Sequence, residues 1–362
     1  MAQAENWVDI GSADELARTP LQSGKAGEIP VAISFKDGRF GVVSNACNHV
    51  GGPLGDGRLE HDYITCPWHG WKFHRCTGVG EPGFEQDRVP AFPVRVAGGR
   101  VLVDVASPSR RMKTPHPPHP LARNVERAEG PLRLAGISTT VMDAGNPRFS
   151  GSDHLLDHAV KAAAELGAQT RLIRLNDLKF RACEGYYSKA AQACTWPCSI
   201  TQMDAEDELE RVYEALVHWA DAVIVASPIR WGTASSLYFK MVERMNCIQN
   251  QITIHNRMLI RNKVAGFIIV GGQDNVQMVA GQMLGFFAEL GFIFPQFPYV
   301  AHSRGWSHED MENNVAIVRS SQELAEGAQM LAQRLLQLAG QLIAQDQAPA
   351  RIERGGRKAH PV

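Results

Sequence analysis

Hydrophobic and polar residues alternate singly over the first part of the chain, in short runs separated by turn sequences. Two such runs are IPVAISFKDGRFGVVSN (29–45), with a Lys-Asp-Gly turn, and FPVRVAGGRVLVDVA (92–106), with a Gly-Gly turn. A period of two places alternate side chains on one face of a strand, and the glycines suit tight hairpins. This pattern predicts an all-β domain over residues 1–107.

A different pattern begins after Pro131, where continuous apolar runs alternate with amphipathic segments of helical spacing. The apolar runs are RLAGIST (133–139), TRLIRL (170–175), DAVIVASP (221–228), KVAGFIIVGG (263–272) and PQFPYVAHS (295–303). Apolar strands that alternate with helices are typical of a parallel sheet covered on both faces. Five such strands match a flavodoxin-like doubly wound fold, so we predict an α/β domain over residues 131–345.

Two further segments differ from both domains in composition. Residues 108–130 are rich in proline and arginine and have no apolar period, so we interpret them as a basic linker. The last residues, 346–362, are polar and are predicted to be a disordered tail.

The composition narrows the classes of partner. The chain has 362 residues, 44% of them hydrophobic, and a formal net charge of −1, so bulk charge attracts neither nucleic acid nor a membrane surface. The start, MAQAENWVDIGSADEL, lacks the apolar core of a signal peptide, and no apolar run is long enough to span a bilayer. We therefore expect a cytoplasmic protein whose seven cysteines serve as thiols and metal ligands rather than disulfides.

Two Cys-His pairs stand out within the all-β part. The first is Cys47-x-His49 and the second is Cys66-x2-His69. Zinc is one candidate, since two cysteines and two histidines commonly complete a tetrahedron, and a [2Fe–2S] cluster with one iron on two cysteines and the other on two histidines is the second. Zinc fingers normally separate the cysteine pair from the histidine pair. The mixed pairs here suit two irons that each take one ligand from each loop.

The stretch CNHVGGPLGDGRLEHDYITCPWHGWKF (47–73) resembles the Rieske family, in its ferredoxin and ring-hydroxylating-oxygenase branch. The resemblance covers about residues 5–105 and implies a β-sandwich domain with a Rieske-type [2Fe–2S] cluster. The ligands that it implies are Cys47, His49, Cys66 and His69. Rieske proteins of cytochrome complexes carry a disulfide at the positions that Gly52 and Trp68 occupy here, so that branch is excluded. Cys76 lies outside the pattern and is expected to be a bystander thiol.

Three loops follow apolar strands of the α/β part. The first, PRFSGSD (147–153), places hydroxyls before a helix, where free backbone N–H groups favour an anion. It contains no G-x-G-x-x-G, so it indicates a single phosphate, as in FMN, rather than a dinucleotide. The other two are SPIRWGTASSLYFKMVER (227–244) and GGQDN (271–275). All three lie at the carboxyl ends of strands, where this fold binds ligands.

The stretches ISTT…RFSGSDHLLDHAV and ADAVIVASPIRWGTASSLYFKMVER resemble the NAD(P)H-dependent FMN reductase and iron–sulfur flavoprotein group over about residues 131–305. For the FMN phosphate the resemblance implies Ser138, Ser150 and Ser152, with Arg148 as a further candidate. Along the isoalloxazine ring it implies Pro228, Ile229, Arg230, Trp231, Gly232 and Thr233, and at the far edge Gly271, Gly272 and Gln273. Arg230 stands where that group usually has an aromatic residue. A cation there could raise the flavin potential or bind the nicotinamide phosphate.

Three more cysteines lie in the α/β part as C-x10-C-x3-C, at Cys183, Cys194 and Cys198. Iron–sulfur flavoproteins carry a compact set of four, so this set is one short and too widely spaced; Cys247 becomes a fourth ligand only if the fold brings it there. We expect residues 181–205 to form a lid or a dimer contact instead, through aromatic residues at Tyr186, Tyr187 and Trp196.

The histidines at His154 and His158, with neighbouring aspartates, have the i, i+4 spacing that places two imidazoles on one helix face. A mononuclear iron site is one interpretation. A solvated helix face is the one we favour, because this helix follows the predicted phosphate loop.

Together these patterns predict an oxidoreductase. NAD(P)H would reduce FMN, FMN would reduce the cluster, and the cluster would pass single electrons to an acceptor through solvent-facing edges of His49 and His69. A partner oxygenase is one acceptor. In one alternative, electrons enter at the Rieske domain and the flavin reduces a small organic acceptor such as a quinone or nitro compound; in another, the protein is a redox sensor. Hydride transfer needs no protein acid or base, so no catalytic residue is assigned. The flavin-reductase resemblance implies a homodimer or homotetramer.

Overall fold

The structure is a computed structural model that describes residues 6–115, 117–143, 145–188, 190–271, 275–303, 305 and 307–345. The predictions for Gly272, Gln273 and the tail 346–362 lie outside these residues. The chain divides into two compact units, each built from several segments. The first unit comprises Met1–Asn124, Phe180–Glu208 and Glu243–Asn256, and the second comprises Val125–Lys179, Leu209–Val242 and Arg257–Val362.

Strands and short helices fill the beginning of the chain, and strands alternate with longer helices after it. In chain order the strands are β1 Trp7–Ser12, β2 Leu21–Ala26, β3 Ile29–Lys36, β4 Arg39–Ser44, β5 Arg58–Glu60, β6 Tyr63–Thr65, β7 Lys72–His74, β8 Ala91–Phe92, β9 Val94–Ala97, β10 Arg100–Asp104, β11 Arg133–Ser138, β12 Gln169–Arg174, β13 Ala222–Pro228, β14 Val264–Gly271 and β15 Tyr299–Ser303. The α-helices are α1 Ala13–Leu16, α2 Gly151–Glu165, α3 Ser199–Met203, α4 Glu210–Tyr213, α5 Ser236–Arg244, α6 Asn246–Thr253, α7 Val276–Leu290, α8 His308–Ser320 and α9 Gln322–Gln345.

Antiparallel strands form the first unit, which confirms the predicted β-rich domain. They make three sheets, in the orders β1-β10-β9, β2-β3-β4-β8 and β5-β6-β7. The two predicted hairpin turns lie between β3 and β4 and between β9 and β10. Asp37 and Gly38 have φ of 50° and 73° in the first turn, and Gly98 and Gly99 have 59° and 73° in the second. Positive φ at both central residues matches the twist of the strands that they join.

The second unit contains a five-stranded parallel sheet in the order β12-β11-β13-β14-β15, which confirms the flavodoxin-like doubly wound prediction. Alternate side chains of these strands face opposite layers. Ile224 and Ile268 pack with residues of α2 and α9 in one buried cluster, whereas Phe267 contacts Phe287 of α7 at a ring distance of 5.4 Å. The order of the strands reverses between β11 and β13, and ligands of this fold bind at the carboxyl end of that position.

The apolar period of the sequence from about 309 to 344 predicts one long helix, whereas the structure has two, α8 and α9. Ser321 between them has extended backbone angles, and its hydroxyl accepts a hydrogen bond of 3.2 Å from the Leu324 amide. Serine caps a helix start well because its side chain satisfies an amide that has no partner within the helix. The apolar period continues through Ser321, so it did not indicate that a helix ends and a new one begins there.

Much of the segment predicted as a linker bonds to one unit or the other. The backbone of Met112 exchanges hydrogen bonds with that of Arg88 in the first unit, at 2.7 and 2.9 Å. Arg127 donates to the buried carboxylate of Asp221 in the second unit, at 2.8 Å. Within the part of the chain that the structure describes, no helix has both the length and the apolar character that crossing a membrane requires.

Candidate iron–sulfur and flavin sites

The two predicted cluster loops of the first unit share one hydrogen-bond pattern. Cys47 N donates to Gly52 O at 2.9 Å and Gly51 N donates back to Cys47 O at 3.0 Å. In the second loop, Cys66 N donates to the carbonyl of residue 71 at 2.7 Å, and the amide of residue 70 donates back to Cys66 O at 3.1 Å. In each case the two hydrogen bonds close a short backbone loop that begins at the cysteine and contains the predicted histidine ligand.

The four predicted ligands form two pairs rather than one group. Cys47 and Cys66 are 4% and 3% exposed, pack in one hydrophobic cluster, and lie within hydrogen-bond reach of each other. Nδ1 of His49 and Nδ1 of His69 are 3.0 Å apart. No three His, Cys, Asp or Glu side chains among the described residues surround a point suited to a single metal ion. A pair of thiols and a pair of imidazoles fit a [2Fe–2S] cluster of the Rieske type better than a zinc tetrahedron.

Close packing fixes the two loops around this site. The ring of Trp71 stacks on His49 at a centroid distance of 5.1 Å with 5° between the planes. A Cβ at Gly52 would come within 2.9 Å of the Trp68 ring and 3.0 Å of Cys66 Sγ, so only glycine fits there. All seven cysteines of the chain lie among the described residues, and none forms a disulfide.

The sequence patterns did not predict that a cation, Arg111, lies near the cysteine pair. Arg111, in the segment predicted as a linker, donates to the Asn48 side chain and to the carbonyl of Ala46 next to Cys47. The hydrogen bond with Cys66 and burial raise the pKa of the Cys47 thiol, whereas the charge of Arg111 acts to lower it. Metal ligation by these thiols releases protons, and a nearby guanidinium favours the thiolate form. Only the fold brings this arginine, which is distant in sequence, to the site.

The expectation that His69 faces solvent is wrong. The side chain is 3% exposed, and its Nε2 donates a hydrogen bond of 2.8 Å to the Ala193 carbonyl, which belongs to the same unit. The Tyr186 ring lies 6.1 Å from the His69 ring, and the Trp196 indole donates to the Leu121 carbonyl at 3.2 Å. Tyr186 and Ala193 therefore cover one imidazole of the predicted cluster within the first unit.

Hydroxyl groups gather at the start of α2 in the second unit. The hydroxyls of Thr140, Ser150 and Ser152 lie 3.1–3.2 Å from one another, and Ser150 caps the helix by accepting from the Asp153 amide at 3.2 Å. Ser138 contributes a fourth hydroxyl, which donates to the Asp153 carboxylate. The three predicted serines are thus brought together at a helix N-terminus, where an anion is favoured. Thr140, two residues after β11, and Asp153, in the first turn of α2, were not predicted, because neither carries a phosphate signal in the sequence.

The second loop presents a tight turn after β13. Arg230 and Thr233 exchange backbone hydrogen bonds of 2.8 and 3.0 Å around Trp231 and Gly232, whose φ values are 49° and 72°. The Trp231 side chain is 92% exposed. Ile229, in contrast, is buried at 4% exposure, so its side chain faces the core while the turn that follows projects an indole.

The third loop meets the second through Asn275, which was not predicted. Its side-chain amide donates to Gly232 O at 3.0 Å. A Cβ at Gly271 would lie 2.5 Å from the Ile229 side chain, so this glycine permits close approach of the two strands. The end of β11 joins them as well, because the Ser235 hydroxyl donates to the carbonyl of Thr139, directly after that strand, at 2.6 Å. Arg148 is exposed at the rim of the first loop.

Comparisons with known proteins match both domains. A family model for the Rieske [2Fe-2S] domain matches residues 6–93, and a model for NADPH-dependent FMN reductase matches residues 140–307. The chain is 30% identical over 100 residues to ferredoxin CarAc of Metapseudomonas resinovorans, which corresponds to 27% of this chain and 92% of the ferredoxin.

Two flavoproteins match the later part of the chain. Iron-sulfur flavoprotein MJ0731 of Methanocaldococcus jannaschii is 28% identical over 146 residues, which is 40% of this chain and 64% of that protein. The 8-demethyl-8-aminoriboflavin-5'-phosphate synthase of Streptomyces davaonensis is 26% identical over 171 residues, 45% of this chain and 60% of the synthase. The chain therefore spans less than two thirds of either relative. By these matches, the chain belongs to the Rieske [2Fe-2S] family through residues 6–93, and its residues 140–307 match the NADPH-dependent FMN reductase family; the two matches support an iron–sulfur cluster, FMN and NAD(P)H as cofactors.

Proposed function

We propose that the protein carries electrons between NAD(P)H, FMN at the hydroxyl-rich edge of its parallel sheet and a [2Fe–2S] cluster, and delivers them to an acceptor one at a time. A flavin takes two electrons as hydride and can release them singly, and an iron–sulfur cluster exchanges one electron. The observation that carries the proposal is the presence in one chain of paired thiols and paired imidazole Nδ1 atoms together with the converging flavin loops.

Each group of residues has a separate role in this proposal. Cys47 and Cys66 hold one iron, and His49 and His69 hold the other through Nδ1. Gly52 lets the loops close against the ligand sulfur and so keeps water away from it. The burial of both cysteines also lowers the solvent exposure of the cluster, which is one of the factors that set its potential.

In the flavin site, the hydroxyls of Ser138, Ser150 and Ser152 bind the FMN phosphate, with Arg148 at the rim. The stretch 228–233 lies along the isoalloxazine ring. Gly271 is assigned to its far edge. We assign the exposed Trp231 and Arg230 of the turn to contact with the nicotinamide donor, since an indole supplies a flat apolar surface and a guanidinium suits a phosphate.

The direction of electron flow is open to one alternative. The coverage of His69 by Tyr186 and Ala193 favours exchange of electrons within the chain at that imidazole, rather than docking of an external protein there. A flavin that reduces a small organic acceptor, such as a quinone or a nitro compound, with electrons entering at the cluster, is consistent with this contact. The ferredoxin-like part favours the first direction, with a partner oxygenase as acceptor.

Variants at the cluster separate these two functions. We compare oxidation of NADH and NADPH by wild-type and Cys66→Ser protein, with a quinone or cytochrome c as acceptor, and use Cys76→Ser as the control. If Cys66→Ser loses only cytochrome c reduction, the cluster is the exit to one-electron acceptors. If both activities persist at the wild-type rate, the cluster takes no part in the reaction and the proposed chain of carriers is wrong.

A further inference from the structure

A short strap, residues 109–114, lies against the first ligand loop of the cluster site. It lies beyond residues 6–93, which the Rieske family model matches. The Ser109 amide donates to the Ala91 carbonyl at 2.8 Å, and the Ser109 hydroxyl accepts from the Ala91 amide at 2.9 Å. The backbone pairing of Met112 with residue 88, described above, holds the middle of the strap. The strap is therefore a fixed part of the first unit.

One cation of the strap bonds to the residues on either side of Cys47. Arg111 Nη1 and Nη2 donate to the Ala46 carbonyl at 3.1 and 3.2 Å, and Nη1 also donates to the Asn48 side chain. Asn48 is 3% exposed, and its side-chain amide donates to the Met112 carbonyl at 2.7 Å. Hydrogen bonds on both sides of a predicted iron ligand thus hold the guanidinium in place.

A second cation of the strap reaches the histidine of the same loop. Lys113 Nζ donates to the His49 carbonyl at 3.1 Å. The amide of Thr114, the next residue, donates to the carboxylate of Asp87 at 3.1 Å, and Asp87 is 1% exposed. This buried carboxylate fixes the end of the strap, so the chain is held on both sides of the two cations.

Positive charge at this position bears on the reduction of the cluster. When one electron passes to the oxidised cluster, the negative charge there rises by one and no covalent bond forms or breaks; in the proposed function that electron comes from FMN. A nearby cation attracts the added charge and so stabilises the reduced form. Cys47 and Cys66 are 4% and 3% exposed, so solvent screens this attraction less than it does between charges on an open surface.

We propose that Arg111, assisted by Lys113, raises the reduction potential of the cluster, and that residues 109–114 are an element of this chain that tunes the potential. The inference rests on the proposed function, because it takes the paired thiols and imidazoles to hold the cluster. Net charge and solvent exposure are among the factors that set the potential of an iron–sulfur cluster. Arg111 is a positioning residue, which acts through its charge and through the backbone of the ligand loop.

Variants of Arg111 separate its charge from its hydrogen bonds. Arg111→Met removes both, whereas Arg111→Lys keeps the charge and loses the forked bonding to Ala46 and Asn48. Arg100→Met is the matched control, because it removes one positive charge from the same unit, at a residue whose ion pair is with Asp9 of β1. Iron per chain is measured in every variant, so that a lost cluster is distinguished from a changed potential.

The midpoint potential of the cluster in the full-length holoprotein is measured by redox titration, with electron paramagnetic resonance detecting the reduced form. In Arg111→Met the equilibrium should shift about tenfold toward the oxidised cluster, which is a fall of about 59 mV for one electron. Arg111→Lys should stay close to the wild-type value, and Arg100→Met should equal it. The difference between wild type and Arg111→Met should shrink in about 1 M salt, because the Debye length falls from about 10 Å at 0.1 M to about 3 Å.

An unchanged potential in Arg111→Met at full iron content would overturn the proposal. An equal fall in Arg111→Lys would overturn it too, because hydrogen-bond geometry rather than charge would then set the potential. If Arg111→Met loses its iron, Lys113→Met decides: a smaller fall in the same direction is expected, and an unchanged potential contradicts the proposal. A wild-type protein without a Rieske signal, or with a cluster that NAD(P)H does not reduce, would instead defeat the proposed function.

Discussion

The buried ion pair between Arg244 and Asp207 provides the sharpest test of how the first unit is held together. Both side chains are fully inaccessible to solvent, and Arg244 Nη2 lies 2.7 Å from Asp207 Oδ2. The arginine also donates to Thr201 and to the Arg181 carbonyl, both at 2.9 Å. Removing one member of such a pair leaves the other charge buried without its partner, which costs about 3–5 kcal/mol.

We therefore predict that Arg244→Met lowers the free energy of unfolding by about 3–5 kcal/mol at neutral pH. Hydrogen bonds from Arg244 and Thr201 outweigh the opposing effect of burial and hold the pKa of Asp207 below its ordinary value of 3.8. In the wild type this carboxylate adds stability above that value, and the contribution is lost as the pH falls through the lower, folded-state pKa. In Arg244→Met the unpaired Asp207 takes up a proton more readily, so the deficit of the variant should shrink on acidification.

Urea unfolding followed by circular dichroism, at several pH values, measures this effect. The double variant Arg244→Met/Asp207→Leu should recover part of the loss, because no charge stays buried. Lys161→Met is the matched control, since its pair with Glu165 is 78% and 67% exposed and such pairs contribute about 0–1 kcal/mol. A loss below about 1 kcal/mol in Arg244→Met, or a double variant as unstable as the single one, would refute the reasoning.

Three further predictions concern the two sites and the sheet. Gly52→Ala should reduce Rieske iron content and its paramagnetic signal, because the new Cβ would lie 2.9 Å from an indole and 3.0 Å from a ligand sulfur. Gly281→Ala, with open space around it, should leave both unchanged. Equal iron content in the two variants would contradict this geometry. Ser152→Ala should weaken FMN binding by about tenfold or more, as expected for loss of a hydrogen bond to a charged group. Ser320→Ala should leave the Kd for FMN, measured by titration, unchanged. An unchanged Kd in both variants would show that Ser152 does not bind the phosphate. Burial lowers the pKa of Lys263 from 10.5 to about 8, so the unfolded chain binds this proton more tightly than the folded chain. The stability of the wild type relative to Lys263→Met should therefore rise by about 2 kcal/mol between about pH 7 and 9.5. A difference that does not change with pH would contradict this.

The fold followed from the sequence where local pattern decides structure. The alternation of hydrophobic and polar residues predicted the antiparallel sheets of the first unit, and the continuous apolar runs predicted each strand of the parallel sheet. The break at Ser321 was missed because the apolar period continues across it while a side-chain cap interrupts the helix. A capping serine is visible in the sequence, but it competes with a strong periodic signal there.

The sites were predictable to the extent that their residues are close in sequence. The Cys-His spacing identified the Rieske loops, and the serines before α2 identified the hydroxyl cluster. Arg111 could not be assigned, because it reaches its site through contacts across many intervening residues. The same long-range packing covers His69 with Ala193, whereas the loop sequence alone suggested an exposed imidazole.

Some assignments stay predictions. The flavin contacts of residues 228–233 and Gly271 rest on the resemblance and on the position of their loops at the carboxyl ends of the strands. The domain boundaries at 107 and 131 and the homo-oligomeric state also stay predictions. Gly272 and Gln273 lie outside the described residues.

The most direct test of the central claim is anaerobic stopped-flow reduction of the holoprotein by NADPH and, separately, by NADH. Flavin and iron–sulfur absorption bands are followed independently after mixing. The proposed function predicts that the flavin band bleaches first and that the iron–sulfur bands follow at a slower rate. If neither nucleotide bleaches the flavin, or if the iron–sulfur bands respond before the flavin does, electrons do not pass from NAD(P)H through FMN to the cluster and the account is contradicted.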